Sequence, residues 1–324
     1  MIPVTRPFLP PLDEYVRHLE DIWASHRLSN FGAKARELEQ VLAADAGCEA
    51  ILVSSGTMAL MLAARGLDLT GDVLTSPFSF IATASSLVWS GCTPRFVDIH
   101  PETFNLDPAR LEAALTPTTS AILATHIYGN PCDDDALVAF ARRHRLKLVY
   151  DAAHAFGVRW RGRPLFELGD LSIASLHATK LFHTAEGGVI YTRNAELAAR
   201  LRRLGNFGGL EEPLWIEPGI NAKVSELHAA MGLAILPHLA DILAVRRAHA
   251  ERYRRNLDGV VVFQKLADDT VHNAAFVPVL LASETQTVAV EAALAQVEVH
   301  ARRYFWPLLT AASAHGADVS RGQK

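Results

Sequence analysis

Two residues, Asp151 and Lys180, have types and a spacing that could support chemistry at one site. Asp151 directly follows an apolar run, residues 146–150, which predicts a buried strand. Lys180 comes 29 residues later, after a second apolar run at residues 171–176. Pyridoxal phosphate needs an amine for its aldehyde and an acidic partner for its ring nitrogen. Asp151 would keep that nitrogen protonated, while Lys180 would form the Schiff base and then move protons as general base and acid.

Each of these residues also has an ordinary structural explanation. An Asp at a strand end is more often a helix cap or a turn residue. A single Lys is nearly always a solvated surface group. The joint placement of Asp151 and Lys180, with Ser175 before the lysine and Gly187-Gly188 after it, favours the catalytic interpretation.

Three motifs around these residues carry a family resemblance. They are residues 151–157 (Asp-Ala-Ala-His-Ala-Phe-Gly), residues 175–180 (Ser-Leu-His-Ala-Thr-Lys) and residues 186–188 (Glu-Gly-Gly). In this order they resemble the DegT/DnrJ/EryC1/StrS family of sugar aminotransferases, from about Pro3 to about Pro307. The resemblance implies the aspartate-aminotransferase fold (fold type I) and the use of pyridoxal 5'-phosphate to aminate keto sugars carried on nucleotides.

A strand-to-helix turn, Ser55-Gly56-Thr57-Met58, is a candidate phosphate site. A helix N-terminus offers free backbone N–H groups and a positive dipole end, and Gly56 lets the backbone approach closely. Such turns are common without any ligand, and the GK[ST] ending of a Walker loop is absent. The resemblance implies that Gly56, Thr57 and Met58 bind the cofactor phosphate, with Ser175 assisting.

The resemblance assigns two further cofactor contacts, to Phe80 and His154. Phe80 matches the aromatic residue that stacks on the pyridine ring, a contact that contributes about 0.5–1.5 kcal/mol beyond burial. His154 matches the position, Gln or His, that hydrogen-bonds the ring hydroxyl oxygen. The alternatives are an ordinary core phenylalanine and a core histidine with satisfied hydrogen bonds.

Residues 219–223 (Gly-Ile-Asn-Ala-Lys) resemble a motif that spans two subunits. In the family its Asn reaches across a dimer interface to the cofactor phosphate of the other chain. The resemblance therefore implies a homodimer in which Asn221 completes the partner's site. Without the resemblance, Asn221 would be interpreted as the cap before a helix.

Composition and charge exclude several other classes of protein. Half of the 324 residues are hydrophobic and 20% are charged, which is typical of a globular enzyme. A net charge of −4 argues against a nucleic-acid-binding protein. Cys48, Cys92 and Cys132 lie far apart, so neither a disulfide framework nor a metal site is expected. No signal peptide or membrane span is expected, and we predict a cytoplasmic protein.

Strands that alternate with helices from residue 50 to residue 150 predict the fold class. Predicted strands at 50–54, 72–76, 95–99, 120–125 and 147–150 are separated by predicted helices at 58–65, 79–89, 108–115 and 133–144. This order predicts an α/β fold with a mostly parallel sheet sandwiched by helices. Ligands of such sheets bind at the carboxyl ends of the strands, where Asp151 and residues 55–57 fall.

A smaller α+β domain is predicted after Pro237. We expect a large cofactor-binding domain at residues 1–237 and a small domain at residues 238–324, with strands at 260–263 and 275–281 and a helix at 284–297. Residues 302–307 (Arg-Arg-Tyr-Phe-Trp-Pro) resemble a family stretch that other members continue with a further helix and strand. Residues 311–324 show no clear element, so a truncated or altered end is one interpretation.

The predicted reaction is a ping-pong transamination. An amino donor, glutamate in most of the family, would leave its amine on the cofactor, and a nucleotide-linked keto sugar would then take it. The motifs look closest to members that act on a dTDP-4-keto-6-deoxyhexose and supply amino sugars for surface polysaccharides. Some relatives with His in place of the lysine are dehydratases, so Lys180 favours amino transfer. A lyase or dehydratase of the same fold, and a non-catalytic homologue, are the alternatives.

Overall fold

The structure, a computed structural model, describes residues 1–211 and 214–310, and its main element is a seven-stranded sheet. In chain order the strands are β1 (Glu49–Val53), β2 (Asp72–Thr75), β3 (Thr93–Phe96), β4 (Thr119–Thr125), β5 (Lys147–Asp151), β6 (Arg159–Trp160), β7 (Arg163–Pro164), β8 (Leu171–Ser175), β9 (Gly188–Thr192), β10 (Gly209–Glu211), β11 (Leu214–Trp215), β12 (Val262–Phe263), β13 (Thr270–Val271) and β14 (Val279–Leu280). The strand order in the main sheet is β1-β9-β8-β5-β4-β2-β3.

Five neighbouring strands of this sheet are parallel, which confirms the predicted fold class. Strands β8, β5, β4, β2 and β3 run in one direction, whereas β9 is antiparallel to both of its neighbours, β8 and β1. Parallel neighbours require a long crossover, usually a helix, between them. The chain returns from β8 to β9 through residues 176–187, which contain no helix, so this pair is antiparallel.

Helices cover both faces of the sheet. They are α1 (Leu12–Ser25), α2 (Ala33–Ala46), α3 (Gly56–Gly66), α4 (Ile81–Trp89), α5 (Leu111–Ala114), α6 (Asp134–His144), α7 (Ala195–Leu204), α8 (Glu226–Ile235), α9 (Leu239–Leu257) and α10 (Glu284–Gln296). Two apolar clusters result, one with α2, α6 and α8 and one with α3, α4 and α7. Leu52 of β1 lies in the first cluster and Ile51 and Val53 in the second, because alternate strand residues face opposite sides.

Most element boundaries match the sequence prediction within a few residues, and three differ in kind. The helix predicted at 108–115 is a 3₁₀ turn, Pro108–Arg110, followed by the single turn of α5. The strand predicted at 275–281 is reduced to β14. Helix α7 was not predicted, although Asn194 caps it by accepting from the Glu196 and Leu197 N–H groups.

The part of the chain after Pro237 contains α9, the β12–β14 pair and α10. One of its strands, β13, pairs with a strand from the preceding part of the chain. Strand β13 pairs with β6, so residues on both sides of the predicted boundary share one small sheet. The division into residues 1–237 and 238–324 therefore stays a prediction. The prediction made for residues 311–324 lies outside the described residues.

One helical stretch, Glu226–Leu257, is long and apolar enough by composition to cross a membrane. Its first part, α8, packs against α1 and α2 and buries Ala229, Ala230 and Ile235. Its second part, α9, carries several Arg residues, which are unfavourable in hydrocarbon. These features are those of a core helix that continues into a surface helix.

Candidate active site

Two predicted site residues and the candidate phosphate turn lie at one edge of the main sheet. Asp151 is the last residue of β5, and Ser175 is the last residue of β8. Ser175 is in register with Gly188 of β9, which is in turn in register with Val53 at the end of β1. Helix α3 begins three residues after Val53, so its N-terminus lies at the same edge. The sheet therefore brings the aspartate and the candidate phosphate site together.

Asp151 is a buried carboxylate with few protein partners. The Thr83 hydroxyl donates to its Oδ2 at 3.1 Å, and the Ala153 N–H donates to its Oδ1 at 3.1 Å. Burial raises the pKa of Asp151, while the Ala153 N–H, the Lys180 charge and the Thr83 hydroxyl all oppose that rise. A cation placed against this carboxylate would hold it ionised.

Lys180 lies in a turn after β8, where its backbone N–H donates to the His177 carbonyl oxygen at 2.8 Å. Burial lowers the pKa of the Lys180 amine; the charge of Asp151 opposes this effect and the charge of Arg302 adds to it. A lowered pKa increases the neutral fraction of an amine, and the neutral amine is the nucleophile and base. The two residues predicted to share one site thus interact electrostatically in the structure.

The N-terminus of α3 forms a close-packed cradle. Ser55 is the N-cap, and its Oγ accepts from the Met58 N–H at 3.1 Å. A Cβ on Gly56 would lie 2.9 Å from the Ser175 Cβ, and one on Gly188 would lie 2.4 Å from the Ser55 carbonyl oxygen. Thr57 is exposed at the first turn of the helix. The helix end is therefore open to solvent on one side and packed by backbone on the other.

His154 is buried within a set of aromatic side chains that we call the aromatic cluster: Phe78, Tyr128, Phe276, Tyr304 and Phe305. Its ring centroid lies 4.6 Å from that of Phe276 and is stacked on Tyr128 at 5.9 Å. Its Nδ1 accepts a hydrogen bond from the Tyr128 N–H at 3.1 Å, which leaves Nε2 as the protonated nitrogen of the neutral ring. Burial, with a smaller effect of the Lys180 charge, holds the pKa of His154 well below its usual range.

Phe80 and Asn221 are both exposed in the single chain. Phe80 is 56% exposed and stands immediately before α4, so it is not the core residue that was the alternative interpretation. Asn221 forms an isolated bridge with Asn206, four residues before Ser225. Ser225 is the N-cap of α8 and accepts from the His228 N–H. The alternative interpretation of Asn221 as a helix cap is therefore wrong.

These residues fit the cofactor that the sequence predicts. Gly56 and Gly188 let the backbone pack closely at the exposed N-terminus of α3, where a Cβ would clash, and the free N–H groups of a helix N-terminus suit a phosphate. A buried carboxylate suits a pyridinium nitrogen, and an amine with a lowered pKa suits an aldehyde. Ser55, Gly56, Thr57 and Ser175 would hold the phosphate, Asp151 the ring nitrogen and Lys180 the aldehyde carbon.

Several residues of the site were not predicted from sequence. Thr83 contacts Asp151 directly, and Tyr128 and Phe276 enclose His154. Arg302 is exposed, lies with its Cζ 5.1 Å from the Tyr304 ring centroid and acts electrostatically on Lys180. Thr83 stands three residues after Phe80, a helical spacing that could have placed both near one site. The aromatic contacts join residues far apart in sequence and have no local signal.

Comparison with known proteins identifies relatives of similar length and fold. The chain is 41% identical over 311 residues to the dTDP-4-amino-4,6-dideoxy-D-glucose transaminase of Shigella dysenteriae, covering 94% of this chain and 85% of the relative. It is 36% identical to the Escherichia coli enzyme of the same name, covering 95% and 85%. The solved structure of DesI in the presence of its TDP-sugar product superposes with a TM-score of 0.92 at 37% identity, covering 100% of this chain and 83% of that one.

A family model extends across nearly the whole chain. The model of the DegT/DnrJ/EryC1/StrS aminotransferase family matches residues 12–321, which include both halves of the candidate site. The resemblance, the fold type and the cofactor class predicted from sequence are confirmed. The chain therefore belongs to the DegT/DnrJ/EryC1/StrS aminotransferase family and is a pyridoxal-phosphate-dependent transaminase.

Proposed function

We propose that this enzyme transfers an amino group between glutamate and a dTDP-linked 4-keto-6-deoxyhexose, forming a dTDP-4-amino-4,6-dideoxy sugar. Support comes from the similarity to two dTDP-4-amino-4,6-dideoxy-D-glucose transaminases and to DesI, whose structure was solved in the presence of its TDP-sugar product. The product class would serve the synthesis of amino sugars for surface polysaccharides, such as an O-antigen. The proposed location is the cytoplasm, without a nucleic acid or membrane partner.

One observation carries the catalytic part of the proposal. Lys180 and Asp151 interact electrostatically beside an exposed helix N-terminus at the carboxyl edge of the sheet. When bound, pyridoxal phosphate supplies an electron-withdrawing ring next to the carbon that loses a proton. Asp151 would stabilise the protonated ring nitrogen, and the α3 N-terminus with Ser175 would hold the phosphate. Phe80 would contact the ring face.

Lys180 would move the proton in both halves of the reaction. The lowered pKa of its amine increases the fraction present as the neutral base, and the same Nζ can return the proton to a different carbon. His154 would act as a neutral hydrogen-bond donor through Nε2, because its Nδ1 is already bonded to the Tyr128 N–H.

The active form is proposed to be a homodimer in which Asn221 reaches the cofactor phosphate of the partner chain. Asn221 is exposed, as this role requires. An Asn221→Ala variant should therefore weaken cofactor affinity about tenfold, the loss expected for one hydrogen bond to a charged group. Sedimentation velocity should show a dimer in both the wild type and the variant. A monomeric wild type that binds the cofactor with full affinity would contradict the shared site.

The reaction itself is tested by product analysis. The protein is incubated with pyridoxal phosphate, glutamate and dTDP-4-keto-6-deoxyglucose, and the nucleotide sugars are separated and identified by mass spectrometry. We expect a dTDP-amino sugar and an equal amount of 2-oxoglutarate, neither of which forms with Lys180→Ala. A dehydrated sugar without 2-oxoglutarate would show the lyase alternative to be correct. Amination of only GDP- or UDP-linked keto sugars would contradict the nucleotide assignment.

A further inference from the structure

Asp151 has a single side-chain hydrogen-bond donor within residues 1–211 and 214–310, and that donor is Thr83. The Thr83 Oγ1 lies 3.1 Å from the Asp151 Oδ2, and both residues are buried. A buried carboxylate without sufficient donors is unfavourable as an anion. Thr83 is therefore the side chain best placed to influence the charge and direction of Asp151.

Thr83 is itself the first member of a hydrogen-bonded chain. Its Oγ1 lies 2.8 Å from the Ser79 Oγ, which lies 3.1 Å from the Thr125 Oγ1. The side chains of Ser79, Thr83 and Thr125 are all at least 96% buried. We call these three residues the hydroxyl chain. It links the loop before α4, the first turn of α4 and the last residue of β4.

The number of protons fixes the direction of this chain. Each hydroxyl has one proton to donate. When Thr83 donates to an ionised Asp151, it can only accept from Ser79, and Ser79 must then accept from Thr125. All three O–H dipoles point towards the carboxylate in this state. If Asp151 were protonated at Oδ2 and donated to Thr83, the Thr83 hydroxyl would have to turn away from the carboxyl group and donate to Ser79 instead.

Backbone pairing brings the far end of the hydroxyl chain back beside Asp151. Thr125 of β4 is in register with Asp151 of β5, so the two ends of the chain are neighbours in the sheet. A carboxylate fixed between a paired strand and the first turn of a helix has little freedom to rotate. Among the described residues, Lys180 is the titratable group that acts electrostatically on Asp151.

We propose that Thr83, Ser79 and Thr125 are positioning residues that hold the Asp151 carboxylate as an oriented anion towards the ring nitrogen of the cofactor. This inference rests on the proposed role of Asp151 and extends it to three residues that do not contact the substrate. The hydroxyl chain replaces, in a buried site, the hydrogen bonds that water would otherwise provide to the carboxylate. Thr83, next to the carboxylate, has the largest effect.

The direct readout is the ¹⁵N chemical shift of the ring nitrogen in holoenzyme prepared with ¹⁵N-labelled pyridoxal phosphate. Thr83→Val keeps the shape and removes the hydroxyl, whereas Thr83→Ser keeps the hydroxyl. Ser86→Ala is the matched control, because its buried hydroxyl donates to the Thr83 carbonyl oxygen on the same helix and not to Asp151. Asp151→Asn sets the signal expected when the anion is lost. Far-UV circular dichroism of every variant checks folding.

We expect Thr83→Val to shift the ring-nitrogen resonance towards the Asp151→Asn position and to lower kcat/KM for glutamate about tenfold. Thr83→Ser should restore both, and Ser86→Ala should match the wild type. A Thr83→Val spectrum equal to that of the wild type, or to that of Ser86→Ala, overturns the positioning role while Asp151 keeps its own. An Asp151→Asn spectrum that does not differ from the wild type contradicts the proposed function of Asp151, and this inference fails with it.

Discussion

The two buried titratable residues of one segment, Asp151 and His154, lie in contrasting surroundings. Asp151 is backed by the hydroxyl chain, and His154 is enclosed by the aromatic cluster. Burial disfavours the charged form of both residues, so it raises the pKa of the acid and lowers that of the base. The Ala153 N–H, the Lys180 charge and the Thr83 hydroxyl oppose this effect at Asp151, whereas the aromatic rings around His154 provide no hydrogen-bond acceptor for a protonated imidazole.

The difference shows how one site keeps an anion and a neutral imidazole three residues apart. Polar groups around Asp151 support the charge that a pyridinium nitrogen needs, and the Tyr128 N–H fixes the His154 tautomer that can donate from Nε2. Their sources in the chain also differ. The hydroxyl chain comes from residues 79–125, and three members of the aromatic cluster come from the region after Pro237.

The largest change should follow from removing Lys180, which acts electrostatically on both sides of the site. Lys180→Ala should lower the rate of amino transfer from glutamate about 10⁴-fold, because no other described base is placed to move the proton. Single-turnover kinetics with saturating cofactor measure this rate. A loss smaller than about tenfold would show that another group is the base.

Buried neutral histidines should make the protein less stable in acid. Burial lowers the pKa of His126, which stacks on Tyr150, to about 3, and lowers that of His154 well below its usual range. Between pH 6.5 and those values the unfolded chain binds protons that the folded chain does not, so the free energy of unfolding falls as the pH falls. Urea unfolding from pH 6.5 to 4.5 measures this dependence.

A His126→Asn variant sharpens that test. Its free energy of unfolding should depend less steeply on pH than that of the wild type, by about 1 kcal/mol per pH unit for one histidine. His300→Asn, a substitution of an exposed histidine, is the control for removing a histidine that is not buried. Identical pH slopes for the wild type and His126→Asn would mean that His126 is protonated in the folded protein.

A substitution in the aromatic cluster can be made without changing any residue of the hydroxyl chain. Phe276→Leu should lower the free energy of unfolding by about 1–2 kcal/mol and weaken cofactor binding, because His154 loses its nearest ring contact. Phe140→Leu, a buried aromatic change in α6, should reduce stability similarly without affecting cofactor affinity. Chemical unfolding and fluorescence titration with pyridoxal phosphate measure the two effects. Equal cofactor affinity in both variants would contradict a role for the cluster at the site.

The smallest effect is expected at the N-terminus of α3, the candidate phosphate site. Gly56→Ala should weaken pyridoxal phosphate binding about tenfold or less, because the new Cβ would lie 2.9 Å from the Ser175 Cβ and force the backbone apart. Combining it with Ser175→Gly should recover part of the affinity by restoring the space. Additive losses in the double variant would show that the two residues act independently.

Some features of the site and fold could be predicted from the sequence, and others could not. Asp151 and residues 55–58 were predicted because each stands at a strand end or helix start that local pattern reveals, and Lys180 was predicted from its spacing after Asp151 and from its motif. The fold class followed from the alternation of strands and helices. The antiparallel direction of β9 was not predicted, because strand direction depends on how the chain returns, which apolar periodicity does not encode.

The surroundings of Asp151 and His154 were not predicted, for two physical reasons. Ser79, Thr83 and Thr125 are small polar residues of kinds that occur throughout the chain, and only their packing at the sheet edge makes them partners. Phe276 and Phe305 reach His154 through tertiary contacts across more than a hundred residues of sequence. Residues 302–307 were recognised as a family motif, but their contact with His154 required the structure.

The central claim, that Lys180 and Asp151 act on one bound cofactor, is tested most directly by the absorption spectrum of the protein with pyridoxal phosphate. Spectra are recorded for the wild type, Lys180→Ala and Asp151→Asn, before and after addition of glutamate. We predict a long-wavelength band in the wild type that requires Lys180 and disappears with glutamate, and that persists under glutamate in Asp151→Asn. A wild-type spectrum equal to that of free cofactor, or the same band in Lys180→Ala, would contradict the account.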